Sequence, residues 1–512
     1  VPVDTALSLP HLLAVLPELV LLVVAGIVLA ADVALPETRR RELGLIAATG
    51  VFVALLLALA LAQPPAGGAV VLGGMLRHDQ FAFVFRVLFL VAALLACLLS
   101  VDSPLVGKLG QYYVVLLIAT IGMNLMAASN DLVMLFVAIE TSSISQYMLA
   151  GFLRGSARSA EAGLKYFLFG SAASAVMVYG MSFLYGLTRA TGFEEIAAGL
   201  TAGGAAISVP ALAAVVLVLV GLGFKISAVP FHFWAPDVYE GAPTPVTAFI
   251  SVASKAAGFS VLLRLFVSVF QQPAVADKTW AMMLAITAVT MTLGNLLALQ
   301  QRNIKRMLAY SSIAQAGYVL IGFLAFNPAD PSGTLSGLAA STYYLMMYVL
   351  TNLAAFAVVI LFANLTGSDE IKDYAGLSRR SPYLALVMLI ALLSLGGMPP
   401  LAGFVAKFLL FAAALVPGVA GPERYNQMIA LVLLGVLNAI VGLYYYLIVA
   451  KVMYVDRAPG DSVPVPVPGA YRVVLAICVL GILALGIYAT PWLNWSTQAV
   501  AALTGATGLA GR

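Results

Sequence analysis

Apolar runs of about 20 residues recur along the whole chain, each long enough to cross a hydrocarbon core of roughly 30 Å as a helix. They fall near residues 12–31, 44–62, 80–100, 112–128, 132–152, 164–187, 208–229, 247–270, 280–300, 304–326, 337–364, 383–416, 427–450 and 471–490, which makes fourteen. Inside lipid every backbone N–H and C=O must find its partner within the protein, so runs of this length are helices. The expected fold class is an all-α polytopic membrane protein of about 14 transmembrane helices. Composition agrees: 62% of the 512 residues are hydrophobic and 9% charged, against about 25% charged in soluble domains. The first run follows no basic residue, contains Glu18 and lacks a small-residue cleavage pattern, so it reads as a retained span and not a signal peptide.

The same composition excludes several function classes. A net charge of +4 arises from loop residues, not from a basic face rich in aromatics, so nucleic acid is not a partner. Cys97 and Cys478 each lie in an apolar run, without the clustering that disulfides, zinc or iron–sulfur sites require. His11, His78 and His232 are far apart, and neither phosphate-binding glycine motif is found. No cofactor or metal is expected on this chain.

Loop charge tests the span count, because Lys and Arg accumulate on the cytoplasmic side. Loops after odd-numbered spans hold 15 Lys and Arg residues; the opposite side, both termini and Arg512 included, holds 5. This bias predicts that both termini face outward. Trp234, Trp280, Trp492 and Trp495 fall near span ends, as an interfacial belt would place them.

Six basic residues remain within or close to spans: Arg86, Lys165, Lys225, Lys255, Arg264 and Lys407. A cation at mid-bilayer costs on the order of 2.5–3.5 kcal/mol, so those that persist face the bundle interior or water. The only clearly intramembrane acids are Glu18 and Glu140. The twelfth run, 384–416, contains one charge, Lys407, and as a single helix it would be about 50 Å long. It must break, at Gly396, Gly397, Pro399 and Pro400. The seventh run ends in a similar cluster from Lys225 to Pro245, and broken helices line polar transport paths.

If spans 4–8 form one unit and spans 9–13 another, five helices each force opposite insertion, giving two inverted repeats. Lys225 and Lys407 then lie beside the interruption in the fourth helix of their units. The expected division is an N-terminal three-helix segment (1–110), the first repeat (111–270), the inverted second repeat (271–455) and a last span with a C-terminal tail (456–512).

Three stretches resemble one family: KISAVPFHFWAPDVYEGAPTPV from Lys225 to Val246 with SKAAGF around Lys255, NIKRMLAYSSIAQAGY from Asn303 to Tyr318, and GGMPPLAGFVAKF from Gly396 to Phe408. They are similar to the antiporter-like N chains of proton-translocating NADH-quinone oxidoreductase, the bacterial respiratory complex I. Lysine at 255, where the sister L and M chains typically carry histidine, and the short tail after Thr490 favour the N type. The equivalent chains of photosynthetic NAD(P)H dehydrogenases share these motifs. Gln315 departs from the histidine often found at its position.

The resemblance implies a proton path at mid-membrane depth in which Glu140 pairs with Lys225, and Lys255 and Lys407 continue the row. Secondary candidates are Lys165, where snorkelling to the interface competes with a path role, His232, either a relay or a cap in the bend, and Lys305, which fits the basic cytoplasmic loop as well. Arg86 and Arg264 read as structural. The implied function is a proton-translocating membrane-arm subunit, with NADH, FMN, iron–sulfur clusters and quinone confined to partner subunits. The implied partners are sister antiporter-like chains and small membrane subunits, and the implied location is the inner (cytoplasmic) membrane. An autonomous cation/proton antiporter and a non-transporting scaffold are the competing readings.

Overall fold

The computed structural model describes residues 9–327, 336–417, 422–457 and 464–505. Both termini and Arg512 lie outside the described residues, and so does the sidedness expected of the chain ends. Fourteen crossings are found among the described residues, thirteen as long helices and one as a pair of shorter ones. Spans 1 to 6 are Leu16–Ala34, Glu42–Leu61, Gln80–Ser100, Gly110–Ala128, Leu132–Ala150 and Ala157–Thr188. Span 7 is Ser208–Ile226 followed, after a loop, by the short helix Trp234–Gly241. Spans 8 to 11 are Thr244–Phe270, Ala276–Ala298, Ile304–Leu324 and Gly337–Thr366. Span 12 consists of two helices, Pro382–Gly396 and Ala402–Ala414, and spans 13 and 14 are Pro422–Tyr454 and Gly469–Ile487.

Side-chain caps fix where several spans start. Asp79, Asp131, Ser156, Asn303 and Ser336 each accept from backbone amides of the first turn, satisfying donors that a helix start leaves unpaired. The apolar pattern could not reveal three smaller elements: an antiparallel hairpin of Ala69–Val71 with Leu76–His78, a helix Phe193–Gly203, and a helix Thr490–Thr504 in the segment expected to be a tail. Spans 8, 10 and 11 are enclosed, with 100%, 94% and 94% of their apolar windows buried, whereas spans 1, 6 and 14 are only 33% buried.

Local geometry recurs between the two halves. Asp131 and Asn303, 172 positions apart, cap spans 5 and 10 in the same way, each accepting from the amides two and three residues on. Leu132 N–H donates to Thr191 O just as Ile304 N–H donates to Asp369 O. A Cβ on Gly122 would lie 2.6 Å from Ser142 N, and one on Gly294 would lie 2.6 Å from Ala314 N, so both helix pairs close on a glycine.

The two breaks also match. Ser227 and Gly397 end their helices with φ of 58° and 89°. Ala228 N–H reaches Gly223 O and Met398 N–H reaches Leu393 O, and Val229–Pro230 and Pro399–Pro400 are both cis. With the breaks aligned, Lys225 precedes its prolines, whereas Lys407 follows its own by seven residues. The two lysines therefore lie on opposite sides of their breaks: Leu395 occupies the place of Lys225, and Asp237 that of Lys407.

Candidate functional site, a buried row of lysines

Lys225 ends the first helix of span 7 and is 3% exposed. Its Nζ makes no hydrogen bond within the described protein, and Tyr147 Oη, Ser254 Oγ, Ser227 Oγ and His232 Nδ1 are likewise buried without partners. The direct pair with Glu140 is not formed: among the described ion pairs none joins them. Glu140 instead accepts a 2.6 Å hydrogen bond from Ser174 Oγ of span 6 and is half-buried. The physical reason is placement: Glu140 turns towards span 6, while Lys225 packs beneath span 8. A Cβ on Gly258 would sit 3.1 Å from Lys225 Cβ, so this glycine lets span 8 cross Lys225 closely.

Lys255 lies one turn before Gly258, where a π-helical segment, Ile250–Ser254, gives way to regular helix. It is 1% exposed. Its Nζ donates to Ser312 Oγ of span 10 and lies 5.9 Å from the Tyr239 ring centre. Ser312 also accepts from Tyr348 Oη at 2.7 Å, and Asn352 links Tyr348 to Ser251 at 3.2 and 2.8 Å. The lysine's bonded partner among the described residues is one hydroxyl, and no carboxylate is bonded to it.

Lys407, in the second helix of span 12, turns back on the break. Its Nζ donates to Leu395 O at 2.9 Å and Gly396 O at 3.1 Å, the carbonyls that end the first helix, and lies 4.7 Å from the Tyr318 ring centre. Gln315 donates to the same Leu395 O and to Tyr446 Oη, both at 3.2 Å, and accepts from Tyr344 Oη.

Of the secondary candidates, Lys165 and Lys305 are engaged in ion pairs outside this row. Lys165 bridges Glu161 and Asp237 at 2.7 and 2.6 Å, and Arg306 bridges Asp237 and Glu240, both at 2.8 Å, around a charged pocket of about 170 Å³. Lys305 is bound to Asp369 at 2.9 Å. His232 Nδ1 is buried without a partner, and Phe233, which precedes the helix Trp234–Gly241, makes no side-chain cap bond. Arg86 pairs with Glu18 at 2.9 Å, and Arg264 holds Asp79 through two bonds of 3.0 and 3.1 Å.

Sequence reasoning missed Ser312, Tyr344, Tyr348, Asn352 and Tyr446. A signal was present for three of them: Tyr344, Tyr348 and Asn352 recur every four residues along span 11, a polar stripe at helical spacing.

Paired interrupted helices, a recurring half and a row of buried ammonium groups define a membrane protein of the antiporter-like class. Residues 129–421 match the model of the family described as NADH:quinone oxidoreductase/Mrp antiporter, transmembrane. The chain is 44% identical to NADH-quinone oxidoreductase subunit N of Moorella thermoacetica, over 91% of this chain and 94% of that protein. It is 39% identical to NAD(P)H-quinone oxidoreductase subunit 2 of Synechococcus elongatus, over 95% and 91%. A chain of respiratory complex I from Thermus thermophilus superposes with a TM-score of 0.75 at 32% identity, covering 93% of this chain and 98% of that one. A chain of the Mrp complex from Dietzia sp. shares the fold, with a TM-score of 0.83 at 22% identity over 97% and 98%. The chain belongs to the NADH:quinone oxidoreductase/Mrp antiporter family of multi-pass membrane proteins.

Proposed function

We propose that this chain is the N-type membrane-arm subunit of a proton-translocating NADH-quinone oxidoreductase, and that Lys225, Lys255 and Lys407, with Glu140, carry the proton. The observation that bears most on this reading is the state of the three ammonium groups. All are buried in a membrane interior, and none is neutralised by a carboxylate within ion-pair distance among the described residues. A lysine kept only to tie helices would be expected to meet an acid; these meet hydroxyls, carbonyls or no protein partner.

Lys225 Nζ has no hydrogen bond within the described protein that must break when it loses its proton. Glu140, standing off from Lys225, sets the local field that favours the charged form, and movement of that carboxylate would bias release towards Lys255. Lys407 would pass the proton outward. Lys165 belongs to the charged pocket with Asp237 and Arg306, and His232 to the break in span 7; both serve as secondary path groups in this reading. Lys305 acts as a tie to Asp369.

Electron transfer belongs to partner subunits that hold NADH, FMN, iron–sulfur clusters and quinone, and the membrane is the inner (cytoplasmic) one with both termini outward. Among the described residues no three His, Cys, Asp or Glu side chains gather to hold a metal, and both cysteines are buried. The units 111–270 and 271–455 act as two inverted half-channels, a division supported by the matching caps and breaks.

The test is Lys225→Ala in membranes containing the assembled complex. The expected result is intact quinone reduction with fewer protons moved per NADH oxidised. Full proton yield would overturn the assignment. The competing antiporter reading requires the purified chain alone in liposomes to exchange Na+ for H+.

A further inference from the structure

A second group of buried titratable side chains lies away from the lysine row, where the hairpin meets spans 1 and 3. Arg86 of span 3 is 1% exposed, and Glu18 of span 1 and His78, the last residue of the hairpin, are each 6% exposed. Arg86 binds Glu18 Oε1 at 2.9 Å and Ala14 O at 3.0 Å. Each of the three keeps one buried polar atom without a partner among the described residues: Arg86 Nη1, Glu18 Oε2 and His78 Nδ1.

The hairpin aims His78 at this pair. Leu76 and His78 are alternate residues of one strand and share its buried face. Leu76 packs with Ala14 and Ala82; Ala82 stands one turn before Arg86 on span 3, and Ala14 supplies the carbonyl that Arg86 holds. The ring therefore faces a guanidinium. Burial and the Arg86 charge hold the His78 imidazole below the ordinary histidine range, against weaker upward pulls from the Gln63 carbonyl and the Asp79 carboxylate. Glu18 is already matched by Arg86, and Asp79 by Arg264 and Arg77. Protonating His78 thus adds a second cation where no acid is left unmatched.

The same hairpin holds the start of span 5. Met75 O accepts from Asn130 N–H at 2.9 Å, and Gly74 O accepts from Asn130 Nδ2 at 3.2 Å. Asp131, next in sequence, caps the helix that carries Glu140.

We propose that His78 is an acid-sensitive latch: neutral, it seats the hairpin against Arg86 and Glu18; protonated, it releases the hairpin and with it the turn that starts span 5. In the released hairpin the ring meets water and titrates near about 6.5. The seated ring prefers to stay neutral, so latching has its full strength above that pH. It weakens by about tenfold per unit as the pH falls further, down to the lower value of the seated ring. The loop-charge bias puts this face outside, where the translocation proposed above delivers protons, so the product of pumping loosens the start of the span that carries Glu140. That physiological sense rests on the reading above; the titration of the hairpin does not.

The experiment follows hydrogen exchange of the assembled complex in detergent, by mass spectrometry, at a series of pH values from about 7.5 to about 4.5. Two signals are read from the same samples. Deuterium uptake at the His78 ring carbon between the nitrogens gives the titration of that ring, and amide exchange of residues 69–78 and 129–131, corrected for its intrinsic pH dependence, gives the protection of the hairpin and of the turn. His78 is expected to titrate below about 6.5, with amide protection falling by about tenfold or more over the same interval. In His78→Asn, which does not titrate, protection is expected to be independent of pH. An ordinary titration of His78, or protection that holds while the ring protonates, would overturn the proposal, as would a fall in His78→Asn equal to that of the unaltered chain. If His78→Asn leaves the hairpin unprotected throughout, the two curves of the unaltered chain decide: they coincide, or the latch is refuted. None of these outcomes bears on the lysine row, which proton yield tests separately.

Discussion

Replacing Lys407 by arginine separates a proton relay from a charge tie. Lys407 Nζ satisfies two carbonyls exposed by the break in span 12. In Lys407→Met, Leu395 O keeps its bond from Gln315 at 3.2 Å, so only Gly396 O loses its partner. Leaving one buried acceptor unpaired costs about 1–3 kcal/mol, and losing the cation over the Tyr318 ring adds about 0.5–2 kcal/mol. No longer burying an ammonium offsets part of that sum. A net loss of about 1–4 kcal/mol lowers the yield of assembled complex without abolishing it. Lys407→Arg keeps both donors and the charge but cannot release its proton. If Lys407 only ties the break together, arginine preserves yield and translocation alike. If it relays, arginine restores yield relative to methionine, and this chain's protons are still not moved. The assay is proton extrusion per NADH oxidised by vesicles matched for complex content. Normal extrusion by Lys407→Arg would refute the relay argument.

Arg264→Met removes the main partner of the fully buried Asp79, a change of about 3–5 kcal/mol for a buried pair. Arg77, at 3.3 Å, holds the loss towards the lower end; thermal inactivation of the complex should shift downward while surviving complexes stay coupled. Gly122→Ala and Gly294→Ala each drive a methyl to 2.6 Å from a facing backbone nitrogen. Each should destabilise by about 1–3 kcal/mol as overpacking does, measurable as a lowered unfolding midpoint. Glu140→Gln keeps an acceptor for Ser174 and removes the negative charge, so it should leave complex yield unchanged while reducing proton yield per NADH. Lys165→Met should change stability by no more than about 1 kcal/mol, since its ion pairs are partly exposed, as denaturant titration of the purified complex would report.

The positions of the spans were legible because the signal is local: an apolar run of sufficient length is a helix in lipid whatever surrounds it. The same holds for the break in span 12, written as Gly396, Gly397, Pro399 and Pro400. The hairpin at Ala69–Val71 and Leu76–His78 was not legible, since three-residue strands exist only through their mutual pairing. The match between halves was hidden too. It lies in cap and turn geometry shared by different residues, Asp131 with Asn303 and Ser227 with Gly397.

Sequence alone determined that this chain holds fourteen apolar runs of spanning length and an excess of lysine within them, because hydropathy and charge belong to each residue irrespective of its neighbours. Tertiary structure decided what those lysines touch. Whether Lys225 meets Glu140, whether Lys255 meets an acid or Ser312, and whether Lys407 faces another side chain or the backbone of its own broken span depend on the rotation and approach of whole helices. Those are set by contacts between distant segments, such as Gly258 against Lys225, that no single stretch of sequence contains.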